Sequence, residues 1–413
     1  MEQTQAPIKF SPYQILVIAL IALTQFSVVL DFMVMSPLGD LLIKTMSLST
    51  DQFGYVVSAY AFSAGISGIL TAGFADRFDR KKLLLFFYIG FIAGTLSCAL
   101  AGSYEALIVA RIVTGIFGGV IGSISMAIVT DLFLPQQRGR VMGFVQMGFG
   151  ASQVLGIPIS LYFANRLGWE APFFIIVAFS AVVWLVILLR LRPVNAHLLA
   201  PSMDTRKPLE HLWHTFRNRE YRIGFLATAL MSLGGFMMMP FGTAYAINNL
   251  GLTKEQMPTL FMISGISALI IMPVMGRLSD KMNKAYIFSV ASVWLIIFAI
   301  IYTNLPPSAL WLVATVNTLM MMGVMGRVVP AIALNSSLPA MPDRGAFMAI
   351  NTSLQQMAGG AAAAIAGKIV TQATPESPLM HFDTVGYILS VVCVINIVMF
   401  FRVYRMVQSR AVR

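Results

Sequence analysis

Two charged side chains stand where a charge is costly. Asp31 lies in Val29-Leu30-Asp31-Phe32-Met33-Val34, and Arg111 opens Arg111-Ile112-Val113 directly after Val109-Ala110. Apolar surroundings disfavour the ionised form of a carboxylic acid, so an aspartate held there can load and release a proton near neutral pH. Thr24, Ser27 and Asp31 recur at helical spacing and give their stretch one polar face. The alternative places Asp31 at a helix end among headgroups, with Leu38 only two turns on. Arg111 stays protonated, so it needs an anion, water, or a path for its long side chain back to the headgroups.

Further polar groups interrupt apolar runs: Gln25, Gln146, Gln153, Asn248, Asn317, Arg327, Asn351 and Gln355. Gln146 and Gln153 share a helix face, as do Asn351 and Gln355. Arg327 lies near enough to an inner helix end to snorkel. The 27 methionines include Met237-Met238-Met239 and Met320-Met321-Met322, flexible side chains that suit packing, lipid contact or a cavity with several apolar ligands. His211 and His214, with Glu210 beside them, fit an interfacial helix face better than a metal site. Cys98 and Cys393 fall in apolar runs and imply neither disulfide nor zinc. No metal and no cofactor are expected.

These residues need membrane-spanning helices to position them. A chain of 413 residues that is 58% hydrophobic and 11% charged cannot hide its apolar surface in one soluble core. A span takes about 20 apolar residues. Twelve stretches qualify: 14–38, 52–74, 83–102, 106–130, 142–164, 171–191, 223–249, 257–276, 285–304, 309–334, 346–370 and 383–401. The first runs beyond a signal-peptide core without a small-residue cleavage site, so it is expected to remain. The fold class is an all-α membrane protein.

The net charge of +11 is distributed for topology and not for nucleic acid. Arg77, Arg80, Lys81, Lys82, Arg138, Arg140, Arg277, Lys281, Lys284, Arg344 and the tail from Arg402 fall on one side; Lys44, Arg166, Lys254 and Lys368 fall on the other. By the positive-inside rule both termini are expected in the cytoplasm. Residues 193–222, with three prolines and five basic residues, form the longest polar segment. Within it Leu209, Leu212, Trp213 and Phe216 can form one side of an amphipathic helix on the inner leaflet. The expected organisation is residues 1–192 as a six-span half, 193–222 as a cytoplasmic linker, and 223–413 as a second six-span half.

The halves echo each other. Ala72-Gly73-Phe74-Ala75-Asp76-Arg77-Phe78-Asp79-Arg80-Lys81-Lys82 recurs in outline as Gly276-Arg277-Leu278-Ser279-Asp280-Lys281-Met282-Asn283-Lys284. Pro135-Gln136-Gln137-Arg138-Gly139 recurs as Pro342-Asp343-Arg344-Gly345. Parallel repeats place a binding site near the midplane between them.

On these loops the chain resembles the major facilitator superfamily, in its twelve-span drug and sugar:proton antiporter branch. The resemblance implies two pseudo-symmetric six-helix halves and a cytoplasmic latch in which Asp76, Arg80 and Lys81 act with Asp131, echoed by Asp280 and Lys284. Ala72 and Asp79 depart from the family's glycines there. Arg111-Ile112-Val113-Thr114-Gly115-Ile116-Phe117-Gly118-Gly119 resembles the motif whose arginine is tied to proton coupling, which adds Arg111 to Asp31 as a coupling candidate. Gly115, Gly118, Gly119 and Gly122 also read as sites of close helix approach. Gly156-Ile157-Pro158 resembles the antiporter motif with its proline shifted by one, and Ser160-Leu161 replaces a glycine pair. The eight polar residues named above become the candidate substrate cavity.

The function implied is export of a small organic molecule by proton antiport with alternating access, in the bacterial inner membrane. Uptake by proton symport is the first alternative, and a sensor or channel the second. No P-loop of the form G-x-x-x-x-G-K-[ST] occurs and no enzyme motif is present, so an enzyme is not expected. The expected partners are a small-molecule substrate, protons and the lipid bilayer, without nucleic acid; the sequence sets no oligomeric state, and a monomer is the default.

Overall fold

A computed structural model describes residues 10–72, 75–195, 198, 208–340 and 343–411. The elements are α1 (Pro12–Val34), α2 (Gly39–Thr45), α3 (Thr50–Ala72), α4 (Arg80–Ala99), α5 (Tyr104–Leu132), α6 (Pro135–Ala151), α7 (Ile157–Leu167) and α8 (Ala171–Arg190). They continue with α9 (Pro208–Arg217), α10 (Arg219–Phe236), α11 (Gly242–Asn248), α12 (Met257–Lys281), α13 (Lys284–Thr303), α14 (Leu310–Ser336), α15 (Arg344–Ile369) and α16 (Phe382–Ala411). Among the described residues the β structure is a single bridge, Thr371 to Met380.

Among the described residues, eleven helical stretches are long and apolar enough to cross a membrane. The expected span 346–370 is α15, whose 26 residues are long enough. Its Asn351, Thr352, Ser353, Gln355 and Gln356 make it less apolar, which an interior position against α3 permits. Twelve spans are thus consistent with the structure. Ends extend past the sequence estimate where polar residues carry the helix on. The last span, expected to end at 401, continues as α16 to Ala411 through the polar residues Arg402, Arg405 and Gln408.

Caps fix several starts. Ser11 and Gln14 form a reciprocal box at α1. Asp79 accepts from the amides of Lys81 and Lys82 at α4, and Asn283 does the same for Ala285 and Tyr286 at α13. Asp79, at a position where the family pattern has glycine, is therefore a helix cap, and its repeat counterpart caps likewise.

Two spans are interrupted. Between α6 and α7 the residues Ser152–Gly156 form a π turn, which accommodates one extra residue, and Pro158 follows without an amide hydrogen to donate. The one-residue displacement of that proline has its place in this turn. Between α10 and α11 the chain bends through Met237 and Met238 into the short 3-10 turn Met239–Phe241.

The α3–α15 contact runs along most of both helices, because small residues face each other. A Cβ on Gly54 would lie 2.8 Å from Ala363 O, and one on Gly65 2.8 Å from Ser353 O. Polar links join the same two sequence halves from the end carrying Asp40 downward: Thr50 to Val370 O at 2.7 Å, Asn165 to Lys254 O at 2.9 Å, Ser36 to Met239 O, and Ser58 to Gly360 O at 2.7 Å. At the other end, which carries Arg80, Tyr221, Phe225, Phe288, Phe347 and Phe400 form a separate apolar cluster within the later helices.

Helix α9 lies where the amphipathic helix was expected, and two residues of the expected side meet the protein, Leu212 by burial and Phe216 by stacking on Phe225. Leu212 packs into that cluster, while Trp213 and Phe216 stack on each other and remain exposed. His211 Nε2 is 3.3 Å from Asp343 Oδ1, so this histidine docks α9 onto the start of α15.

Candidate functional site

Asp31 and Arg111, far apart in sequence, meet. An Nη1 hydrogen of Arg111 is donated to Asp31 Oδ2 at 3.0 Å, and both side chains are 0% exposed. Thr95 of α4 donates to the other carboxylate oxygen, Oδ1, at 3.1 Å. The guanidinium also lies over the Tyr60 ring, 4.6 Å from its centroid. Neither Asp31 at a headgroup nor Arg111 snorkelling describes the pair; each charge is the other's compensation. Arg111 Nε and Nη2 are buried without a hydrogen-bond partner, so the site is under-satisfied.

The glycines of α5 bring this helix against its neighbours. A Cβ on Gly115 would sit 2.4 Å from Tyr60 O, and one on Gly119 2.5 Å from Ala64 Cα. Gly118 faces the Tyr60 hydroxyl. These three match the close-approach reading. Gly122 does not, since only Gln25 Oε1, at 3.9 Å, comes near.

The candidate cavity residues are dispersed. Arg327 is 1% exposed and donates from Nη1 to Cys393 Sγ at 3.1 Å, so it does not snorkel. Asn317 donates to Ser264 Oγ at 2.7 Å, tying α14 to α12. Gln153 sits in the π turn, directed at Met33 Sδ, and Asn351 is buried with its Oδ1 unpartnered. Gln25 and Gln355 are half-buried.

Asn248 is elsewhere: it lies in the closed Asp40 end and not at mid-depth. Its Nδ2 donates to Asp40 Oδ1 at 2.9 Å and its Oδ1 accepts from Lys44 Nζ at 3.1 Å, while Lys44 and Asp40 pair at 2.8 Å. Asp40 and Lys44 were missed by sequence reasoning, although an acid and a lysine four apart after Pro37 is a readable helical pair. Thr95 and Tyr60 carried no comparable signal.

At the Arg80 end, Arg80 Nε is 3.3 Å from Asp131 Oδ2, the partner expected for it. Lys81 Nζ donates to Leu188 O at 2.9 Å. Both contacts stay within the first six spans. Lys284 is half-buried at the start of α13. The side chains of Asp76, Gln146 and Asp280 lie outside the described residues. Among the described residues, no cluster of three or more metal-ligating side chains occurs.

A bundle of long apolar helices with a charge pair sealed inside it defines a multi-pass helical membrane protein. The chain belongs to the Major Facilitator Superfamily, whose sequence profile matches residues 21–363. It is 28% identical over 256 residues to the "uncharacterized MFS-type transporter YceJ" of Bacillus subtilis (strain 168), covering 61% of this chain and 64% of that protein. It is 31% identical over 134 residues to Multidrug resistance protein 3 of the same organism, covering 32% of this chain and 26% of the relative. The matched stretches thus span less than two thirds of both relatives. A bacterial homologue of the human lysosomal transporter Spinster, solved inward-facing and occupied, superposes with a TM-score of 0.77 at 16% identity, covering 96% of this chain and 98% of that one. A D-xylose–proton symporter gives 0.75 at 16% identity, covering 94% and 97%. These two likenesses concern the fold.

Proposed function

We propose that the protein exports a small organic molecule across the bacterial inner membrane in exchange for protons, and is not an enzyme. The observation that carries this reading is the sealed Asp31–Arg111 pair. Protonating Asp31 cancels the carboxylate charge and leaves Arg111 without its counter-ion, so one proton changes the interior from neutral to cationic at that point. A conformation that hydrates or re-partners Arg111 is then favoured by the difference, which is what couples a proton to a change of access. Both carboxylate oxygens are already engaged, so coupling runs through release of Arg111 rather than through direct competition between a proton and a cationic substrate.

With the termini in the cytoplasm, the Asp40 end faces outward. Asp40, Lys44 and Asn248 hold it shut, and residues 1–192 and 223–413 rock about the midplane with 193–222 linking them. The latch of Asp76, Arg80, Lys81, Asp131, Asp280 and Lys284 serves the opposite end. Gln25, Gln146, Gln153, Asn317, Asn351 and Gln355 are the polar side chains from which a substrate cavity would draw its contacts. The partial match to Multidrug resistance protein 3 supports export. Uptake is the second reading, favoured by Ser160-Leu161 in place of the antiporter glycine pair.

Proteoliposomes with a pH gradient of either sign, a compound panel and a proton-sensitive dye test this. Substrate moving against protons is expected, and movement together with them replaces export by uptake. Asp31→Asn should abolish gradient-driven accumulation; wild-type accumulation in that variant moves the coupling site elsewhere. For the outer closure, Asn248→Ala removes two hydrogen bonds, each worth about 1 kcal/mol net. It should raise outside labelling of a cysteine placed at Thr243 roughly fivefold or more, whereas unchanged labelling would remove Asn248 from the lock.

A further inference from the structure

We propose that Arg327 is an anion-binding residue and that the transported molecule carries a carboxylate; the second half of this rests on the transport reading above. Among the described residues, three charged side chains are no more than 1% exposed: Asp31 at 0%, Arg111 at 0% and Arg327 at 1%. One acid is thus set against two arginines, and the acid belongs to Arg111. Arg327 has no carboxylate partner among the described residues. Its recorded contact is a thiol, Cys393 Sγ, and its Nε is buried without any partner.

A guanidinium brings a full positive charge into the helix interior. Acids from residue 223 onward are Glu255, Asp280, Asp343, Glu376 and Asp383, all at helix ends or in connections. None is placed to follow Arg327 into the middle of α14. A buried charge without an internal counter-ion is retained against its cost when an external one is used.

The thiol beside Arg327 faces α10. Cys393 packs beside Gly234 of α10, and a Cβ on the adjacent Gly235 would meet nothing within 4 Å. The bend at Met237 and Met238 follows at once, so α10 loses its regular hydrogen bonding there. One turn back, the Ser232 hydroxyl is buried and unpartnered. The paired N–H donors of the Arg327 guanidinium match the two oxygens of a carboxylate, and the methionines of the nearby helix break suit an apolar body attached to it.

The test measures the unfolding midpoint of the purified protein in detergent, by helical circular dichroism. The additives are sodium benzoate, uncharged benzamide and sodium chloride, balanced to one ionic strength with sodium isethionate. Benzoate should raise the wild-type midpoint by about 2 °C or more over benzamide. Arg327→Gln and Arg327→Met should lose the rise, Arg327→Lys should keep part of it, and Cys393→Ser should keep it. A rise with chloride equal to that with benzoate keeps the anion site and overturns the carboxylate assignment. No rise with either anion, or the same rise in Arg327→Gln, overturns the site itself. Because this readout is equilibrium binding, a protein that moves no compound in proteoliposomes yet shows the Arg327-dependent rise would sink the transport reading and leave the anion site standing.

Discussion

The two arginines that are almost wholly unexposed among the described residues, one in each half of the sequence, have different surroundings. Arg111 has an acid at 3.0 Å, a tyrosine ring beneath it, and glycines that clamp α5 against its neighbours. Arg327 has a thiol, and beside it Gly326 would place a Cβ 3.3 Å from Ala291 Cβ and 3.4 Å from the flexible end of Met275. A charge compensated inside the protein is part of its stability. A charge compensated from outside is part of its binding. The first half thus holds a buried charge matched by an acid, and the second half holds one whose contact is a neutral side chain.

The largest effect should come from separating the matched pair. Removing one member of a buried ion pair costs about 3–5 kcal/mol, because the other is left charged and alone. Arg111→Met should therefore lower the unfolding midpoint sharply, and Asp31→Asn nearly as much, since the sealed geometry makes the asparagine a poor neighbour for a guanidinium. The double variant Asp31→Asn/Arg111→Met should recover much of the loss while remaining uncoupled. If the single variants unfold where the wild type does, the pair is not the stabilising element described here.

Membrane spans were legible because apolar length is a local pattern. Asp31 and Arg111 were legible one at a time, as charges in apolar runs. Their contact was not, since α1 and α5 are brought together by packing that no spacing encodes. The same limit explains Asn248, which looked like a mid-span polar residue because the break at Met239–Phe241 and the return of α2 towards α11 are tertiary features. Asp79 was readable as a cap by its place before a helix, once the departure from a glycine pattern was set aside.

A middle-sized effect separates the glycines around the two arginines. Gly119→Ala drives a methyl into the Ala64 backbone at 2.5 Å, which α3 can relieve only by moving as a rod. Overpacking of this kind costs about 1–3 kcal/mol. Gly326→Ala meets side-chain atoms at 3.3–3.4 Å, one of them the end of a methionine that can rotate away. It should change the unfolding midpoint little. Equal losses from both substitutions would mean that the second arginine is as tightly clamped as the first, and the contrast between the halves would fail.

The smallest expected change in stability is at Arg327 itself. Replacing an unpaired buried charge by an apolar residue of similar length removes a desolvation cost and leaves no stranded partner, because Cys393 is a neutral thiol that packs as well against a methyl as against a guanidinium. Arg327→Met should therefore unfold at or slightly above the wild-type midpoint in anion-free buffer, within about 1 kcal/mol, while Arg111→Met in the same buffer falls well below it. The order matters more than either value. Were Arg327→Met to destabilise as strongly as Arg111→Met, Arg327 would have an internal counter-ion or an essential packing role. The asymmetry between a stabilising arginine in the first half and a binding arginine in the second would then disappear.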